Sequence, residues 1–185
     1  GTLYAIDISR ELIEGAAFLP PEFMKYLDPL SGSKQGRIYR IAPRDFTNPP
    51  TPNLGKLTIR ELVSLLDHTN GWHRDTASRL IYQRQNSSAI TWLRQLVKQG
   101  ETAAGRFTAL YLLQGLAALD ESSVLTALGD SAAIVRVHAL RVAESLVTQS
   151  VAITNRFSSM TTDSDIQVRY QLAFSLGAAQ GQTRN

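Results

Sequence analysis

Few side chains in this 185-residue sequence have the types and spacing that chemistry requires. His68 and His73 stand five apart with Asn70-Gly71 between them. A helical zinc pair needs i, i+4 spacing, which puts both rings on one face. Five residues across a turn does not do this, and His138 is alone, so no metal ligand is assigned. Asp7, Glu11 and Glu14 are close enough for paired-carboxylate acid–base work. Arg10 sits among them, however, and no apolar pocket surrounds them, so they read as solvated charges. Ser31-Gly32-Ser33-Lys34-Gln35-Gly36 has the composition of a phosphate loop but not its order, and a strand rather than a helix follows. With no Cys there is no thiolate ligand, Cys nucleophile, disulfide or covalent c-type haem within this chain. No catalytic, cofactor-binding or metal residue is therefore assigned.

Two further features invite a sharper reading. Trp72, His73, Arg74 and Asp75 form a polar-aromatic cluster at a helix start. Trp72, His73 and Asp75 could be an interaction surface, since Trp and Arg commonly anchor interfaces. The plainer alternative packs Trp72 under the turn, sets Asp75 at the third helical position near the positive helix end, and gives Arg74 a structural role. Arginine outnumbers lysine fifteen to four, and Arg79, Arg84, Arg94 and Arg141 could line a basic groove for duplex DNA. Against nucleic acid stand a net charge of only +3 and the absence of any Lys/Arg run.

The elements that would hold these residues change character near residue 50. Leu3–Ile8 and Arg37–Ile41 are short β-type runs, the second alternating basic and apolar residues. Pro20-Pro21 opens a short helical stretch, Glu22 to Leu27. Two strands and a turn cannot make a core of their own. Three prolines between Thr47 and Asn53 then predict an extended linker. After Lys56 there is no Pro. Thr58 and Glu61 form a capping box, and helices are expected near 58–66, 72–85, 87–99, 103–118, 121–128, 132–148, 150–160 and 165–179. No apolar run reaches the length of a membrane span.

The helical part repeats itself. Aligning the segments that begin at His73, Gly105, Val135 and Val168 brings Arg74, Arg106, Arg136 and Arg169 into register at intervals of 32, 30 and 33. Ala77, Ala109, Ala139 and Leu172 follow three residues later. Asp130 and Asp163 each precede their Arg by six residues, and Asp67 precedes Arg74 by seven. An acid in the inter-helix turn, an Arg in the next helix and a small residue one turn on is how stacked pairs mesh. The Asp can take free amides or a neighbouring repeat's guanidinium. The expected fold is mostly α: an α-α superhelix of about four helix pairs, preceded by a short β-containing segment.

This repeat resembles the short HEAT-like type named after phycobilisome lyases. Together, GTLYAIDISRELIEGAAFLPPEF, GRIYRIAP and LLDHTNGWHRDTASRLIYQR resemble the junction region of planctomycete-type membrane-bound dehydrogenases. In that family a sorbosone- or glucose-dehydrogenase-like β-propeller precedes HEAT-like repeats and often a c-type cytochrome domain. The resemblance implies a propeller remnant over 1–45, a linker over 46–56 and a repeat domain over 57–182. It also implies PQQ and haem c in the parent rather than here, the propeller and cytochrome domain as partners, and export to the periplasm or beyond. Gly1 in place of Met fits a piece of a longer protein. The role implied for this chain is a non-catalytic scaffold.

Overall fold

The computed structural model describes residues 2–10, 12–13, 15–47, 50 and 52–182, with the backbone alone at 16 and 178–182. Glu11 and Glu14, considered above as acid–base candidates, lie outside the described residues, as do 48, 49 and 51 of the proline-rich stretch. The chain divides into two units, Gly1–Thr51 and Pro52–Asn185.

In the first unit, β1 (Leu3–Asp7) pairs antiparallel with β2 (Arg37–Ile41), Leu3 opposite Ile41 and Asp7 opposite Arg37. Every residue of both strands is exposed, because a two-stranded ribbon has nothing to bury its faces against. The helical stretch expected from Glu22 to Leu27 is a single 3-10 turn, Phe23–Lys25, begun by the Phe23 amide on the Pro20 carbonyl. One hydrogen-bonded turn without a packed face does not propagate.

The second unit is built of eight α-helices among the described residues. They are α1 (Ile59–Ser64), α2 (Gly71–Arg84), α3 (Ala89–Gln99), α4 (Ala103–Gly115), α5 (Glu121–Leu128), α6 (Ala133–Ala143), α7 (Val151–Ser159) and α8 (Ile166–Gln182). The expected capping box is present: the Glu61 amide donates to the Thr58 hydroxyl and the Thr58 amide to the Glu61 carboxylate. Asn70, Thr102, Asp120 and Ser150 cap α2, α4, α5 and α7 by accepting an amide of the first turn on their side chains, without a reciprocal bond. Asn70-Gly71 is thus the cap and first residue of α2, which makes Asp75 the fifth helical residue rather than the third.

Two helices stop short of their expected ends. In α6 the Ser145 hydroxyl donates to the Val142 carbonyl and competes with the helical ladder. The end of α4 is closed by the Ala118 amide on the Leu113 carbonyl, with Ala117 left-handed at φ 52.

The helices lie in two rows. Along one, α1, α3, α5 and α7 follow in contact; along the other, α2, α4, α6 and α8 do. The core between them runs from Leu62, Leu66 and Ile81 through Leu93, Leu110 and Leu113 to Leu140, Ile153 and Phe157, all fully buried. In the stretch read as linker, Leu54–Lys56 form a 3-10 turn with Leu54 buried. Arg84 holds that turn by donating to the carbonyls of Leu57 and Gly55, at 2.6 and 2.8 Å. Ser150 is buried and works in two directions, accepting the Ile153 amide and donating to the Glu121 carboxylate of α5 at 2.6 Å. Ser150→Ala is expected to cost about 1–2 kcal/mol, a cap plus a charge-assisted bond, measured by urea unfolding.

Candidate interaction face

The four arginines in register do the same thing first and different things next. Each donates Nη1 to a carbonyl six residues earlier: Arg74 to His68, Arg106 to Gly100, Arg136 to Asp130 and Arg169 to Asp163. This staples every even-numbered helix to the turn that precedes it. Arg106 then reaches forward with Nε and Nη2 to chelate Asp130 at 2.6 and 2.9 Å. Arg136 chelates Asp163 at 2.9 and 2.7 Å. Both carboxylates also accept an amide two residues on, from Ala132 and Asp165. Planar guanidinium on planar carboxylate is strong and directional, so α4 is keyed to the turn before α6 and α6 to the turn before α8.

Asp67 has a different part. The next turn carries Gly100 where the later turns carry Asp130 and Asp163, so Arg74 meets two carbonyls, of His68 and Thr69, and no carboxylate. Asp67 itself reaches that turn, accepting the amides of Glu101 and Thr102 and the Thr102 hydroxyl at 3.0, 3.1 and 2.8 Å. Gly105 leaves the space it occupies, since a Cβ there would collide with the carboxylate.

The electrostatics follow the geometry. Bonding to the Arg136 guanidinium holds Asp163 below the usual carboxylate range. At Asp130 burial pushes the other way, but Arg106, the Ala132 amide and the charge of Arg136 outweigh it, so that group too is lowered. Side chains of the Arg136–Asp163 pair are only 12% and 11% exposed.

The cluster at the start of α2 is assembled in an unexpected way. His68 and His73 stack face to face, ring centres 4.4 Å apart and nearly parallel at 11°. In-plane lone pairs of stacked rings point alongside one another, not at a common ion, and His68 Nδ1 already accepts the Asn70 amide. Among the described residues no group of three or more His, Asp or Glu is placed to hold a metal ion. Trp72 packs edge-on to His73 at 5.4 Å, yet stays 57% exposed. The alternative that packs Trp72 under the turn is therefore not realised. Asp75 lies on the open side of α2, lining a cleft of about 530 Å³ with Arg79, Tyr82, Thr108 and Tyr111.

That cleft belongs to a face running along the even-numbered row. Arg79 of α2, Tyr111 of α4, Arg141 of α6 and Phe174 of α8 occupy matching positions on it, five residues after the ladder arginine, and all four are exposed. Tyr82 is a further exposed aromatic on it. The sequence reading missed the cluster at its middle, because its contacts cross the gap between α4 and α6. His138 stacks on Phe107 at 4.2 Å, and its Nδ1 lies 2.8 Å from the Tyr111 hydroxyl.

Burial first, and the charge of Arg141 second, push the His138 imidazole below its ordinary range. The unfolded chain then binds a proton that the folded chain resists. Stability present at neutral pH is expected to fall as pH drops through about 6.5. His138→Gln should flatten that slope in melting curves recorded between pH 7.5 and 5.5.

Of the four arginines considered for a basic groove, Arg84 is committed to the turn at Gly55 and Arg94 pairs with Asp120 at 2.6 Å. Arg141 donates to Gln171, and Arg79 makes no hydrogen bond or ion pair among the described residues. On the opposite row, Arg60 lies over the Trp92 ring at 4.6 Å beside a second cleft that includes Asp67 and His68. No described helix is long and apolar enough to cross a membrane. Comparison of the chain with protein-family models, with curated proteins and with solved structures finds no match.

Proposed function

We propose that residues 57–182 are a superhelical stack of four HEAT-like helix pairs serving as a non-catalytic scaffold and protein-interaction module. The observation that carries this reading is the chelation of Asp130 by Arg106 and of Asp163 by Arg136. It keys successive pairs into a rigid row and leaves one continuous aromatic and charged face toward solvent. Rigid repeat rows offer extended binding surfaces, and rigid aromatics lose little entropy on binding. Trp72, His73 and Asp75 would sit at one end of that surface.

The chain's parent, on this proposal, is an exported protein in which the array spaces a propeller from an electron acceptor. A second reading makes that parent a quinone-dependent sugar or alcohol dehydrogenase, with PQQ and haem c held outside this chain. The strands of the first unit favour it: Leu3, Ile6, Ile38 and Ile41 are exposed, as befits the edge of a larger sheet that finishes elsewhere. Nucleic acid gains little, because Arg84 and Arg94 are already engaged.

A photo-cross-linking residue at Tyr82 or Tyr111, compared with one at Thr148 or Ser158, tests the scaffold reading in the full protein that carries this chain. Labelling of a protein partner should be at least about fivefold stronger from the first two positions. Equal labelling from both sets, or substrate turnover by the isolated chain that a point substitution within it abolishes, would sink the proposal.

A further inference from the structure

The last helix leaves open a face that its counterparts bury. Three residues before the ladder arginine and one, four and seven after it, α4 carries Ala103, Phe107, Leu110 and Leu113, and α6 carries Ala133, Val137, Leu140 and Ala143. Leu110 and Leu113 are fully buried with α6 alongside, Ala103 is half-buried, and Phe107 is half-buried against His138 of α6. Val137 is 7% exposed, and Leu140 and Ala143 are fully buried, with α8 alongside. In α8 the same positions are Ile166, Tyr170, Ala173 and Leu176. Ile166, Tyr170 and Leu176 are 61%, 63% and 39% exposed, and Ala173 is exposed as well. That spacing makes one stripe along a helix.

The ladder is open at the same place. Arg169 donates Nη1 to the Asp163 carbonyl as its counterparts do. Its Nε and Nη2, which in Arg106 and Arg136 hold a carboxylate, have no partner among the described residues. Arg74 also lacks a carboxylate, but there Gly100 accounts for it and the neighbouring pair is in place.

Resting on the stacked-pair reading above, we infer that this face of α8 is the docking surface for a fifth helix pair of the array's own pattern, whose inter-helix turn supplies an Asp or Glu to Arg169. Two observations select this occupant. The open stripe occupies the positions that α4 and α6 bury or half-bury where the next even-numbered helix packs on them, and an unpaired two-pronged guanidinium asks for a carboxylate. A second copy stacked end to end fits badly. The α1–α2 end carries the turn Leu54–Lys56, clamped by Arg84. The residue there in the acid's ladder position is His68, and the adjacent Asp67 is already engaged by Glu101 and Thr102.

The test compares the 185-residue chain with one in which everything after Leu176 is replaced by a copy of residues 144–182. This sets the added copy of Asp163 the same 27 residues beyond Arg169 that separate Asp163 from Arg136. The extended chain should unfold in one transition with its midpoint raised by about 5 °C. Arg169→Gln removes the bond to the Asp163 carbonyl in both chains, so it should lower the midpoint of the extended chain by about 3 °C more than that of the 185-residue chain, and Asp→Asn at the added acid should erase that difference.

A separate, earlier transition for the added residues overturns the inference. So does an equal effect of Arg169→Gln in both chains. If Arg136→Gln and Asp163→Asn still couple while Arg169 does not, the docking inference alone fails; if neither couples, the stacked-pair reading fails too. Sedimentation supplies a further arm. A dimer of the 185-residue chain that Tyr170→Glu dissociates would make a second copy the occupant, and would overturn the inference as well.

Discussion

Asp163→Ala is expected to destabilise the helical unit by about 2–3 kcal/mol, lowering its melting midpoint by about 7 °C. The substitution strands the Arg136 guanidinium in a site where its side chain is 12% exposed. It also removes the acceptor of the Asp165 amide. Most of the cost is a half-buried charge left with carbonyl acceptors alone, rather than the lost attraction. Arg136→Met in the same chain should therefore recover a large part of it, which a double-mutant cycle by urea unfolding measures.

The same carboxylate carries a pH signature. Asp163 is lowered in the folded chain, so its contribution is fully present above the ordinary carboxylate range of about 4 and is lost as pH falls through the folded value. Asp163→Ala should melt with a shallower dependence on acid than the parent chain. An equally steep dependence in both would show that the pair is not what protects the array.

Gly105→Ala is expected to cost about 2–3 kcal/mol, against the gain of about 1 kcal/mol that Ala normally brings to a helix interior. The reason is local to one turn. The new Cβ would meet the Asp67 carboxylate and the Leu66 carbonyl, driving Asp67 off the amides of Glu101 and Thr102. His73, Val135 and Val168 hold the equivalent position and all have a Cβ. Among the described turns that lead into even-numbered helices, only the one containing Gly100 takes a carboxylate from an earlier turn, so only there must the helix be bare. In an Asp67→Ala background the sign should soften to near neutral. A full penalty there would place the clash on the backbone instead.

Much of the helical unit was legible from short-range pattern. Thr58 and Glu61 announced their capping box, and α5 falls on its expected residues because Asp120 before it and Gly129 after it bound it on both sides. The ends of α4 and α6 were misread because Ala117 and Ser145 terminate them through a backbone conformation and a side-chain bond that apolar periodicity does not register. Trp72 was weighed as a packed residue because a repeating fold usually accounts for such residues structurally. Whether a neighbouring helix covers it depends on the row, not on its own segment.

The candidate face divides in the same way. Its register was present in the spacing of Arg74, Arg106, Arg136 and Arg169, and with it the role of Asp130 and Asp163 as turn acids. The stacked rings of His68 and His73, and the Phe107–His138–Tyr111 cluster, were not. Those contacts join residues whose approach is set by the path of a turn or by the gap between two helices.

By itself the sequence determined that this chain forms capped helices of about the observed number, and that four arginines recur at intervals of 32, 30 and 33 residues. Capping and apolar periodicity act within a few residues, so they can be read from neighbours along the chain. Only the tertiary structure decided which oxygens each arginine receives. It sent Asp67 to the next turn and Asp130 and Asp163 to the guanidinium behind them, and it left Trp72 and Leu176 in solvent. Partners 24 to 35 residues apart meet only when whole helices have packed, and the free energy that brings them together comes from the buried core of the row rather than from the polar groups it aligns.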